Sequence, residues 1–159
     1  MVPTKNKILL FLASGQPWLT LLGRLTLGGL LFYAGALKVG DPQSSAMSVR
    51  AYEMLPTDFA NFFGYVLPWF EVGLGLLLII GAAVKVGAIL GGLTMLMFII
   101  AISQAWARGL SIDCGCFSTG GAIDPSQTNY LSSIIRNIGL TLIAIYLYRF
   151  PKGRFGLDK

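Results

Sequence analysis

Apolar residues run along this chain in four long blocks separated by shorter polar breaks. The blocks cover about Trp18–Lys38, Phe59–Ile80, Val86–Ala107 and Tyr130–Arg149. Each is close to the ~20 residues that a helix needs to cross the hydrocarbon core of a bilayer. Helices satisfy their own backbone polar groups, which is what lipid demands. The pattern therefore predicts an all-α integral membrane protein, a bundle of four transmembrane helices in a single membrane domain spanning residues 1–159. Ahead of the first block, Lys5-Asn6-Lys7 precedes a brief apolar run, Ile8–Ala13. Charge followed by an apolar run has the outline of a signal peptide. The run is short for one, and it reads instead as an uncleaved, interfacial lead-in to the first span.

The first break carries a pattern of its own. Asp41-Pro42 suits an N-cap followed by the first residue of a helix. Ala46, Met47, Ala51, Met54 and Leu55 then make a rough apolar face, and Pro56 ends it. A short helix is expected here, lying on the outer surface over the mouth of the bundle, with Thr57 or Asp58 capping the second span. Small residues mark where helices can approach closely: Gly28 and Gly35 in the first span, Gly73 and Gly75 in the second, and Gly87-x-x-x-Gly91 in the third. Contacts within the bundle are the favoured use, and dimerisation is the alternative. No repeat suggests an internally duplicated transporter.

Composition agrees with the pattern. The chain is 55% hydrophobic and 12% charged, where soluble domains carry about 25% charge, and its mean hydropathy is +0.71. The net charge of +5 is spread over loops and termini, which argues for a topology signal and against a nucleic-acid partner. The chain has no histidine. That excludes a bis-histidine haem and histidine-activated nucleophiles. Two cysteines alone fall short of a zinc site, and nothing points to a covalently bound cofactor. Lysine and arginine near the ends of spans set orientation. Lys5, Lys7, Lys85, Arg149, Lys152, Arg154 and Lys159 fall on one side, whereas Lys38, Arg50 and Arg108 share the other with several carboxylates. Both termini are expected in the cytoplasm of a cell whose inner membrane holds the protein, with the first and third connections outside.

Three ionisable residues fall inside the spans. Glu71 is near the middle of the second span. Arg24 sits about 6 Å to the cytoplasmic side of the centre of the first span, at 1.5 Å per residue. Arg136, followed by Asn137, lies similarly to the outer side in the fourth. A charge at such depth costs about 2.5–3.5 kcal/mol on insertion scales, so Glu71 is expected to pair with Arg24, Arg136 or both. Such a network can be a structural salt bridge or a proton or ligand site. Pro68, one turn before Glu71, removes a backbone donor and should kink the helix. With Trp69 and Phe70 it outlines a flat pocket of the kind a quinone would occupy, although aromatic rings equally fill bundles.

The remaining chemistry is Cys114-Gly115-Cys116, the only cysteines in the chain. They follow Trp106, which suits the interfacial aromatic belt, and sit in a connection expected to face the oxidising side. A disulfide across one residue must meet a narrow geometry, and Gly115 eases the turn. Strained, exposed disulfides are the labile ones. Arg108 would lower a nearby thiol pKa and Asp113 would raise it. A redox pair and a small local staple both remain open at this point.

These motifs resemble the MauE/DoxX group of four-helix membrane proteins, the MauE branch most closely. The similarity runs from about Leu22 to Tyr148. It rests on Arg24 with Gly28, Phe32-Tyr33-Ala34-Gly35-Ala36-Leu37-Lys38, Tyr52-x-x-Leu55-Pro56, Leu67-Pro68-Trp69-Phe70-Glu71 with Gly75, Arg136-Asn137, and above all Ala107-Arg108-Gly109-Leu110 followed by Asp113-Cys114-Gly115-Cys116-Phe117. The family pattern usually has Gly after that Phe, where this chain has Ser118 and Thr119 before Gly120-Gly121. The resemblance implies extracytoplasmic disulfide handling in protein maturation, often beside thioredoxin-like partners. The leading expectation is therefore exchange at Cys114 and Cys116, with Phe117 and the short surface helix shaping the docking surface. The rival expectation is a non-catalytic accessory subunit of a larger membrane complex, with the pair as a staple. If the orientation is right, a membrane-impermeant thiol reagent applied to intact cells after mild reduction labels Cys114 and Cys116. Labelling only after permeabilisation overturns it.

Overall fold

The computed structural model describes residues 4–113, 121–122, 124–153 and 155–157, with side chains from residue 14 onward except 121 and 122. Among the described residues five helices appear in order: α1 Thr4–Val39, α2 Pro42–Ala51, α3 Thr57–Ile80, α4 Val84–Ala107 and α5 Tyr130–Arg149. Between α4 and α5 stand two short strands, β1 Ile112–Asp113 and β2 Gly121–Ala122, and a 3₁₀ turn, Pro125–Gln127. Among the described residues four helices are long and apolar enough to cross a membrane: Ser14–Val39 of α1, α3, α4, and α5 with its lead-in turn. Only about a third of each such window is buried within the bundle. The outward remainder includes Leu22, Phe63, Trp69, Leu93, Ile100, Ile135 and Leu142. Apolar surface this extensive matches lipid and not water. The four-span membrane bundle read from the sequence is the fold observed.

The lead-in differs from expectation. Residues from Thr4 onward belong to α1 itself, with no separate interfacial piece. At 1.5 Å per residue this 36-residue helix is about 54 Å long. Its first turns therefore extend past the end of α5, where Thr20 Oγ1 donates to the carbonyl of Phe150 at 3.0 Å.

The bundle is two tight antiparallel pairs, α1 with α3 and α4 with α5, joined along one core. Glycine makes the first pair. A methyl on Gly28 would lie 2.9 Å from the Gly75 carbonyl, and one on Gly35 2.8 Å from Val72 N. In α4, Gly87 meets Leu78, Gly91 meets Leu31, and Gly92 meets Ala144. These glycines serve the bundle interior. Gly73 does not: it looks into open space, because two residues of helix turn it well away from the face that carries Gly75. Leu27, Leu31, Leu74, Leu78, Ile102 and Leu147 fill the core between the pairs.

The short helix α2 forms as expected. Asp41 is its N-cap, accepting from Ser44 N at 3.1 Å and Ser44 Oγ at 2.6 Å. These hydrogen bonds hold the Asp41 carboxyl below the usual carboxylate range. The face it buries is not the expected one, however. Ser45, Ala46 and Ser48 are buried, while Met47, Met54 and Leu55 point out. The reason lies in α3. Pro68 has no N–H, which leaves the Gly64 carbonyl one turn earlier without its helical donor. Ser45 Oγ supplies that bond at 2.7 Å. Reaching it brings α2 so close that a methyl on Gly64 would overlap Ala46, and only small residues fit. Helix α3 runs unbroken through Pro68, and its N-cap is Pro56, not Thr57 or Asp58.

The contrast between the two glycines of α3 is testable. Gly75→Val drives a side chain into the α1 backbone and should cost about 1–3 kcal/mol or more. Gly73→Val should melt in detergent micelles within error of the parent. Equal melting of the two variants would refute this packing.

Candidate functional site

The bundle end that carries α2 holds an ordered platform. Gly109, at φ 69°, turns the chain out of α4. The chain then enters a two-stranded antiparallel ribbon, with Ile112 opposite Ala122 and Asp113 opposite Gly121. The ribbon is pinned from below by Tyr130, the buried first residue of α5. Its hydroxyl accepts from Ile112 N at 3.1 Å and donates to the Leu110 carbonyl. Its ring stacks on Trp106, with centroids 6.2 Å apart. On the other flank α2 touches β2. Cys114, Gly115, Cys116 and Phe117 follow Asp113 in sequence and lie outside the described residues, as do Ser118, Thr119 and Gly120.

Arg108 is committed to this platform. Its guanidinium reaches Glu53 Oε2 at 3.0 Å, the Glu53 carbonyl at 3.2 Å and Gln104 Oε1 at 3.2 Å. Gln104 also donates to the Tyr52 carbonyl at 2.9 Å. Both members of the Arg108–Glu53 pair are about half exposed, so the ion pair is worth about 1 kcal/mol at most. Its effect is to tie the end of α4 to the turn between α2 and α3, where Glu53 itself adopts φ 51°. Asp113 sits partly buried in β1.

The intramembrane charges are arranged otherwise than expected. Glu71 is 1% exposed and pairs with neither Arg24 nor Arg136. Its partner is Lys38, whose Nζ stands 3.0 Å from Oε2 and 3.3 Å from Oε1. The Lys38 ammonium also sits 5.3 Å from the centre of the Phe98 ring. Register and side-chain direction explain this. The Gly28–Gly75 and Gly35–Val72 contacts bring Glu71 level with about Ala34, one turn from Lys38. Helical side chains lean toward their own N-terminus. In antiparallel α1 and α3, Lys38 and Glu71 therefore lean toward each other. Arg24 lies about 15 Å down α1 from that level at 1.5 Å per residue, and it leans away.

Arg24 instead caps α3. Its Nε donates to the Leu78 carbonyl at 3.0 Å and Nη2 to the Ile79 carbonyl at 3.2 Å, while Nη1 reaches Phe155 O. These are among the last carbonyls of α3, where i+4 donors run out and only the Gly81 N–H reaches Leu78 at 3.2 Å, and the helix dipole favours a cation beside them. Arg136 is half-buried on α5. Asn137 is 2% exposed and borders a cavity of about 10 Å³ together with Glu71, Ala34 and Phe98. Its Nδ2 has no hydrogen-bond partner among the described residues. The expected flat pocket is not formed with Glu71. Pro68 is buried on the same face as Glu71, but Trp69 and Phe70 are 65% and 41% exposed on the lipid side, because consecutive helical residues are set about 100° apart. No group of metal-binding side chains occurs among the described residues.

The profile of the family described as "Methylamine utilisation protein MauE" matches residues 16–150, nearly the whole bundle. The chain belongs to the MauE family. A relative named "Methylamine utilization protein MauE", from Methylorubrum extorquens, is 35% identical over 135 residues, covering 83% of this chain and 69% of its own. No solved structure matches. MauE-family membership and four long apolar helices together make this a multi-pass membrane protein.

Several residues of this arrangement in the MauE-family chain gave little signal in the sequence. In the sequence Lys38 closes the first span and reads as an orientation charge of the outer side, although its place in the last turn of an apolar helix, leaning inward, makes it a candidate for Glu71. Tyr130 read only as the start of a span, and Glu53 and Gln104 gave no signal. Glu71→Gln should destabilise the bundle by about 3–5 kcal/mol by leaving a buried ammonium uncompensated. The double variant Lys38→Met/Glu71→Leu should lose less than either single change when all are melted in the same detergent. Strictly additive losses would show that the two side chains do not interact.

Proposed function

We propose that this MauE-family protein is a membrane thiol–disulfide exchanger acting in protein maturation. Cys114 and Cys116 would react with a thioredoxin-like protein on the extracytoplasmic side of the inner membrane, with both termini cytoplasmic. One thiolate attacks a sulfur of the partner's disulfide and releases the other sulfur as a thiolate. The second cysteine then attacks the mixed disulfide, closing a Cys114–Cys116 disulfide and freeing the partner as a dithiol. Two electrons and two protons pass to the partner, and the reverse reaction reduces the pair.

The observation that carries this reading is the position of the pair. The only two cysteines of the chain fall between Asp113 and Gly121, which pair with each other in a braced ribbon at one end of the bundle. Both ends of the cysteine segment are thereby held outside the apolar spans, where a soluble partner can approach. The lysine and arginine asymmetry supports the orientation. The relative's name, a methylamine utilisation protein, suits a role in maturing an enzyme of that kind.

Single Cys114→Ser and Cys116→Ser variants test the reaction. The remaining thiol cannot resolve the mixed disulfide, so one variant should accumulate a reducible, higher-mass species containing a thioredoxin-like protein. The double variant should lose that species while keeping the melting behaviour of the parent. If neither single variant traps anything under oxidising conditions with the partner present, exchange gives way to an accessory subunit stapled by the pair.

A further inference from the structure

At the end of the bundle where both termini lie, the chain continues beyond α5 and folds back over the α3–α4 turn. Its backbone is held there. Arg24 donates to the Phe155 carbonyl, Leu157 N donates to the Gly81 carbonyl at 3.1 Å, and Gly153 and Gly156 lie against the Arg24 guanidinium. Two side chains of this strap, those of Phe155 and Leu157, are nevertheless apolar and turned outward. Phe155 is 60% exposed and Leu157 73%. Exposed apolar groups on an ordered segment mark an interaction surface.

The charge around them is one-sided. Lys85, Arg149 and Lys152 are exposed at this end. From residue 149 onward the sequence carries Arg149, Lys152, Arg154 and Lys159 against Asp158. The other carboxylates, Asp41, Glu53, Asp58, Asp113 and Asp124, all lie at the opposite end, apart from Glu71, which is buried. Through the Leu157–Gly81 bond the strap sits level with the end of α3 at Ile80 and the start of α4 at Val84, and thus at head-group depth for helices that cross a bilayer.

We infer that this strap is a foot in the leaflet. Phe155 and Leu157 enter the boundary between head groups and acyl chains, and the surrounding lysines and arginines bind the phosphates of anionic phospholipids. A leaflet is the partner that presents apolar and anionic chemistry together at this depth. Arg24 links the foot to the bundle, because the same guanidinium holds the strap and the last carbonyls of α3.

The test uses the full chain. Leu157→Cys is made in a Cys114→Ser/Cys116→Ser background, labelled with an environment-sensitive dye and reconstituted in vesicles. With phosphatidylglycerol mixed into phosphatidylcholine, the dye emission should shift to the blue and be quenched by brominated acyl chains. Pure phosphatidylcholine, even with added inorganic phosphate, should give a weaker shift, and high salt should reverse the gain. Each basic residue at an anionic surface strengthens attachment about fivefold, so Lys152→Gln should weaken insertion by about that factor. Independently, the unmodified protein should melt at a higher temperature in nanodiscs containing phosphatidylglycerol. A dye that stays in water in both lipids, an equal response in both lipids at every salt concentration, a response reproduced by inorganic phosphate, or a melting temperature indifferent to phosphatidylglycerol overturns the inference.

Discussion

The close approach of α1 and α3 is the constraint from which the rest of the interior follows. In lipid, no hydrophobic force drives two apolar helices together, and contact depends on how near their backbones can come. Gly28, Gly35 and Gly75 remove the side chains that would hold α1 and α3 apart. The contact permits essentially one antiparallel register, because sliding by a residue would set a side chain where a glycine now sits. That register puts Lys38 one turn from Glu71 and Arg24 against the last carbonyls of α3. Each charge then finds a partner without a search through the bundle.

The buried Lys38–Glu71 pair is better understood as a register lock than as a source of stability. Desolvating two charges offsets much of their attraction, and a well-packed apolar pair is often as stable. What the pair does is penalise every other arrangement of α1 and α3, since a slip would leave both charges alone in the core. Asn137 brings α5 to the same level, beside Glu71 and the small cavity.

The two ends of the bundle are finished differently. At the α2 end, Pro68 frees one carbonyl, Ser45 takes it, and α2 is clasped to α3. Arg108, Glu53 and Gln104 then tie α4 to the turn after α2, and Tyr130 props the ribbon from which the cysteine segment departs. For the thiol exchange proposed above, a partner must meet the reacting sulfur from a defined direction, and a braced ribbon at a bundle end would provide a fixed base for it. At the opposite end the bracing comes from the chain's own tail, wrapped over Arg24.

The sequence alone determined what depends on composition and period. Four spans, a short capped helix before the second, most of the small-residue contacts inside the bundle (Gly73 excepted) and a cysteine pair between the third and fourth spans were legible, because lipid tolerates only helices of a set length and because N-caps and glycine spacing are local signals. Side-chain partnerships were not legible. Glu71 needed a cation, but depth counted from the span centres pointed to Arg24 and Arg136. Lys38 answered because its partnership depends on an antiparallel register and on the lean of each side chain toward its own N-terminus. The same holds for Trp69 and Phe70, which neighbour Glu71 in sequence yet face lipid, and for Ser45, whose bond to Gly64 exists only because a proline on another helix left that carbonyl open. Periodicity is written into one helix at a time, whereas partners are chosen between helices, and that choice is made only when they pack.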